Sequence, residues 1–162
     1  MCANAKNQDV KARLEKWLLE ENYKVESLTN NHALFNLVVE DNSGLKLHVR
    51  QPLLSVDQIV VMAKASLSEE QITKIQKMLS GERTRFLWEL RFSLLEMGID
   101  FSSVSLPLKF VLVSSPIYFD GLTKNAFMTK VFAVRRALVF VMWKVSKELG
   151  EAKLPFDTSG IV

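Results

Sequence analysis

The sequence is poor in the side chains that most often carry chemistry. It holds one cysteine, Cys2, and two histidines, His32 and His48. A lone cysteine makes no internal disulfide, so a reducing compartment is the expectation. Zinc needs three or four converging His, Cys or carboxylate ligands, and neither histidine has such a neighbour at ligand spacing. His32 falls in a turn and His48 on the polar side of an alternating strand, so both are expected at the surface. Glycine is scarce as well: six residues, none in a GxGxxG or Walker-type phosphate loop. No GxSxG elbow surrounds Ser102, Ser103, Ser105, Ser114 or Ser115. No metal, cofactor or catalytic residue is therefore expected.

Charge of one sign is lacking too. Lys and Arg number 21 against 18 Asp and Glu, a net +3 that demands no polyanionic partner. No apolar run approaches the ~20 residues of a membrane span. The most hydrophobic stretch, 137–143, is short and follows Arg135 and Arg136. Residues 1–10 lack a signal-peptide pattern. The expectation is a soluble, cytoplasmic protein.

What is present is 48% hydrophobic residues in two clear periods. Val10, Leu14, Trp17 and Leu18 recur at helical spacing between charged residues, ending near Glu21-Asn22. Four strand-like segments follow: 24–28, 33–39, 45–50, where Leu45, Leu47 and Val49 alternate with polar residues, and 59–65. The turns between them are short, with Asp41-Asn42-Ser43-Gly44 the clearest, and argue for an antiparallel meander. The run of Ile59, Val60, Val61, Met62 and Ala63 reads as a central strand. Ser68 with Gln71 forms a capping box for a helix reaching Gly81, read as a left-handed stop. A second helix carries Phe86, Leu87, Leu90, Leu94 and Leu95 on one side and ends before Gly98. Segments 101–104 and 110–113 read as strands, and Pro116 as a break after them. The last helix runs from Thr123 to Leu149, about 40 Å at about 1.5 Å per residue, with Thr123 or Asp120 as cap.

The expected architecture is α+β: a twisted antiparallel sheet with helices packed on it, in the order α-β-β-β-β-α-α-β-β-α. One domain, 1–150, and a mobile tail, 151–162, are expected.

Three candidate surfaces remain. On the last helix, Phe127, Val131, Val134, Leu138, Val141, Val145 and Leu149 suffice to cover a sheet. Met128, Phe132, Val139, Phe140, Met142 and Trp143 are then surplus, and predict contact with a second copy or another protein. Asp120, Gly121 and Thr123 stand at the mouth of that helix, where a cap, an anion or a small enzymatic pocket is to be sought. Lys74, Lys77, Arg83, Arg85 and Arg91, interleaved with Phe86, Trp88 and Phe92, form the best nucleic-acid candidate, diluted by Glu82, Glu89 and Glu96.

The element order, Gln51-Pro52, Asp57, the segment Arg85-Phe86-Leu87-Trp88-Glu89-Leu90-Arg91 and Asp120-Gly121-Leu122-Thr123-Lys124 resemble an archaeal family of uncharacterised domains. That family is similar in fold to type III secretion chaperones. The resemblance implies a helix-packed antiparallel sheet, frequent dimerisation, no established enzymatic activity, and protein binding along an exposed hydrophobic surface. The leading expectation is a non-enzymatic, homodimeric, chaperone-like interaction module. The alternatives are nucleic-acid association through the 74–91 face and an enzyme with its pocket near Asp120.

Overall fold

The structure, a computed structural model, describes residues 2–29, 31–55 and 57–150, with side chains from residue 8 onward. The tail expected at 151–162 lies outside the described residues. The elements are α1 (Cys2–Glu20), β1 (Lys24–Leu28), β2 (Ala33–Glu40), β3 (Lys46–Pro52), β4 (Gln58–Ser66), α2 (Glu69–Lys77), α3 (Ser80–Glu96), β5 (Asp100–Ser102), β6 (Phe110–Tyr118) and α4 (Lys124–Leu149). A single turn of 3-10 helix, Phe119–Gly121, precedes α4. The order is the one read from the sequence.

The strands form one antiparallel sheet in the order β1-β2-β3-β4-β6-β5. The first four are the expected meander. By their contacts the described residues fall into two compact units: those up to Val61 with Pro116–Val131, and Met62–Ser115 with residues 132–150.

In the first unit, α1 stops as its sequence predicts. Asn22 takes a left-handed φ of 62°, Asn22 N–H bonds Leu19 O, and Tyr23 N–H bonds Leu18 O. This closes the helix as a Schellman motif. Val10, Leu14 and Leu18 are its buried stripe. The β2–β3 turn is organised by Asp41, whose Oδ1 accepts from Ser43 N at 2.8 Å and Leu45 N at 3.0 Å. On β2 and β3 the residues Phe35, Leu37, Val39, Leu47, Val49 and Gln51 are buried on one face. Val38, Glu40, Lys46 and Arg50 lie half-buried on the other.

One strand residue departs from expectation. His48 is only 1% exposed, although alternation places it on the polar side. Its strand lies between β2 and β4, Val38 stands directly opposite, and the longer Lys46 and Arg50 flank it on the same face. With strands on both sides and longer side chains along its own, a short ring keeps little access to solvent. His32 is exposed, as expected.

In the second unit, α2 opens on the predicted capping box: Ser68 Oγ accepts from Gln71 N, and Gln71 Oε1 accepts from Ser68 N. The helix does not reach Gly81. Met78 and Leu79 are extended, and α3 begins at Ser80 because Glu82 turns back to accept the Leu79 N–H at 3.3 Å. Gly81 therefore lies inside the first turn of α3. The end of α3 follows the prediction: Gly98 takes φ 65°, and Ile99 N–H returns to Leu94 O.

The strand β6 runs through Pro116 instead of ending before it. Two bonds at the ends of the β4–β6 pair, Leu67 N to Lys109 O and Phe119 N to Asp57 O, set an antiparallel register. In it the odd-numbered residues of β6 bond to β4, and the backbone nitrogen of each even-numbered residue points away from β4. On that side β5 pairs only as far as Ser114. Pro116 thus falls where no ladder bond is required of it, the position in which a sheet tolerates proline.

Candidate interaction surface

Two helices of the second unit face each other edge to edge. Lys144 Nζ on α4 donates to Glu89 Oε2 on α3 at 2.6 Å and also lies 3.6 Å from Glu148 Oε1. Glu148, a turn further along α4, shares a cleft of about 210 Å³ with Glu82, Arg85 and Glu89. The residue order in these contacts makes α3 and α4 antiparallel neighbours. The hydrogen bond from Lys144 holds the Glu89 carboxyl below its ordinary value, and the same bond holds the Lys144 amine above its own.

Each helix presents large apolar side chains away from its core. On α3 the buried residues are Phe86, Leu87, Leu90 and Leu94. Trp88, Phe92 and Leu95 stand on the opposite side at i, i+4 and i+7, all exposed, Phe92 at 57%. The Trp88 and Phe92 rings stack at 5.6 Å with 27° between planes. Arg91 lies 4.8 Å from the Trp88 ring centroid, and its Nε and Nη2 donate to Val104 O at 3.0 and 2.6 Å. One face of the ridge is thus held by a cation that is itself anchored.

Leu95, assigned by its sequence to the core stripe, belongs to this exposed ridge. A second i, i+4, i+7 series was the available signal. It is hard to read because Trp88 and Phe92 sit among the acids and cations of a solvated face.

On α4, Val134, Leu138, Val141 and Val145 are fully buried, while Phe132 and Trp143 are exposed, Trp143 at 73%. Val139, Phe140 and Met142 are half-buried. Met128 is 6% exposed and belongs to the core of the first unit. The surplus apolar surface of α4 is therefore narrower than expected and centres on Phe132, Val139 and Trp143. Isolated exposed hydrophobic residues are ordinary, but rows of them on one helix face mark contact surfaces.

The mouth of α4 resolves into a cap. Thr123 Oγ1 accepts from Ala126 N at 3.1 Å, and Thr123 O from Phe127 N. Asp120 and Gly121 are exposed in the preceding turn. With Asp9, Val10, Arg13, Phe119 and Leu122, Asp120 lines a cleft of about 310 Å³. Arg13 donates to Leu122 O at 3.3 Å across it.

Among the described residues no three His, Cys, Asp or Glu side chains are grouped to hold a metal ion. Three of the five cations on the 74–91 face already have partners. Lys74 is 3.7 Å from Glu70, Arg85 is 3.8 Å from Glu89, and Arg91 serves Val104 O. No described helix is long and apolar enough to cross a membrane.

These features define an α+β protein, an antiparallel sheet with helices carrying apolar side chains outward. The chain belongs to the family described as uncharacterized conserved protein (DUF2299), whose profile matches residues 10–145. It is similar to the crystal structure of an uncharacterized protein from Methanothermobacter thermautotrophicus. The TM-score is 0.80 at 30% identity, over 86% of this chain and 99% of that one. No curated protein matches it.

Proposed function

We propose that this protein is a cytoplasmic, non-enzymatic interaction module that forms a homodimer through the outer ridge of α3 and handles other proteins in a chaperone-like way. The observation that carries the reading is the stack of Trp88 on Phe92, with Leu95 a turn beyond, exposed on one helix face. Trp is enriched among the few residues that carry most of an interface's energy, and Phe is enriched in interface cores. Charge permits a symmetric pairing, in which each residue meets its own kind or a near neighbour. Arg85 is matched by Glu89 on its own helix, and Arg91 is tied back to a carbonyl. Two α3 ridges therefore meet without opposing unmatched cations.

Light scattering coupled to size exclusion tests this. The wild-type chain is expected at twice its monomer mass. Trp88→Glu and Phe92→Glu are expected at monomer mass with the helical circular-dichroism signal retained, because both side chains stand outside the core of the single chain. A wild-type monomer at every concentration would remove the basis of the reading.

A further inference from the structure

The outer face of α4 differs from that of α3 in charge. Phe132, Arg136, Val139, Trp143 and Lys147 fall within about 80° of arc at about 100° per residue, opposite the buried row of Val134, Leu138, Val141 and Val145. No acidic residue lies in this stripe. Arg136 has no ion-pair partner among the described residues, and Lys147 is exposed. The nearest acid on the helix, Glu148, is turned to the α3 side, where it lies 3.6 Å from Lys144 and lines the cleft with Glu82.

From this we infer that α4 docks an acidic amphipathic helix of another protein, laid along Phe132, Val139 and Trp143 with its carboxylates beside Arg136 and Lys147. Apolar side chains at i, i+4 and i+7 of the partner fit between those of α4, as helix ridges fit grooves. A second copy of this chain is the poorer occupant, since it would bring Arg136 and Lys147 against themselves. A lipid surface is held by clusters of about four to eight cations, and nucleic acid by rows of phosphate contacts. The α4 stripe supplies a pair of cations set among apolar residues.

The inference rests on the reading of the outer helical layer as a protein-interaction surface, but it uses a different ridge and a different readout. Fluorescence polarisation is measured with a set of labelled acidic amphipathic helical peptides. Their charge-reversed versions, with Lys for every Glu and Asp, phosphatidylserine vesicles and a DNA duplex serve as comparisons. Members of the acidic set are expected to bind, and their reversed versions to fail.

Affinity is expected to fall about tenfold or more in Arg136→Glu and in Trp143→Ala, and to hold in Leu54→Ser, at a fully exposed position of the first unit. Both α4 positions are exposed, so an unchanged melting temperature separates lost binding from lost fold. Equal binding of the reversed peptides, preference for vesicles or duplex, or no binding by any acidic peptide overturns the inference. A monomeric wild type that still binds the acidic peptides would sink the dimer and leave this docking site standing.

Discussion

Lys144 and Glu89 join α4 to α3 through a 2.6 Å hydrogen bond, with the lysine side chain 19% exposed and the glutamate 46%. The lysine is the more enclosed partner, so it loses more when the pair breaks. The ordinary values are 4.5 for Glu89 and 10.5 for Lys144, and the bond lowers the first and raises the second. Glu89 therefore contributes stability that is complete above its ordinary value and is lost as pH falls through the lowered folded value. Lys144 contributes stability that is complete below its ordinary value and is lost as pH rises through the raised one. The melting-temperature difference between wild type and Lys144→Met should be widest at neutral pH, narrow in acid and in strong base, and shrink in high salt. A difference that stayed constant from acid to neutral would show that the pair contributes nothing through its charge.

Gln71 is buried and serves two ends. Its Oε1 completes the capping box of α2, and its Nε2 donates to Gly150 O at 2.9 Å, just past the end of α4. Gln71→Leu keeps the volume and removes both bonds, leaving the Gly150 carbonyl without that donor. A loss of about 2 kcal/mol is expected in urea unfolding. Gln71→Glu keeps the cap acceptor but sets a buried carboxylate against the Gly150 carbonyl, and should cost at least as much at neutral pH.

Arg50 is expected to oppose stability. Its Nε is buried without an acceptor among the described residues, and burial lowers its pKa from the ordinary guanidinium value. Directly across the ladder stands Asn36, 3% exposed, whose Oδ1 is also without a partner. The side chain is half-buried, and its enclosed part gains from an apolar replacement of similar length that carries no unpaired Nε. Arg50→Met should raise stability by about 1 kcal/mol. A loss of that size instead would mean that the guanidinium has a role these contacts do not include.

Thr123 and Asp120 should separate cleanly. Thr123 is the residue that caps α4, so Thr123→Ala is expected to cost about 1 kcal/mol. Asp120 is exposed in the preceding turn and makes no cap contact, so Asp120→Ala should leave the melting temperature nearly unchanged.

Much of the fold was legible because its signals are local. Asn22 and Gly98 end helices through left-handed backbone, Ser68 and Gln71 begin one, and Asp41 folds a turn, all within a few residues of chain. What failed to read depends on which groups the fold brings together. His48 is buried on a strand that has β2 on one side and β4 on the other. Pro116 is admitted to β6 because β5 stops short. The break between α2 and α3 comes from Glu82 reaching back to Leu79 rather than from Gly81.

The candidate surface was half legible. Apolar excess on α4 pointed to Phe132 and Trp143. The fate of Met128 and the ridge of Trp88, Phe92 and Leu95 depended on which side of each helix the core occupies.

The placement of Pro116 has a bearing on how the protein behaves when crowded. Beyond Ser114 the outer side of β6 has no β5 partner, and a bare strand edge invites other chains to add to it and grow into aggregates. At Pro116 the ring occupies the position from which an N–H would have reached outward, so an incoming strand finds no donor there. Substituting Pro116 with Val would keep β6 intact while restoring that donor. Such a chain would be a more adhesive molecule at high concentration than the one nature made.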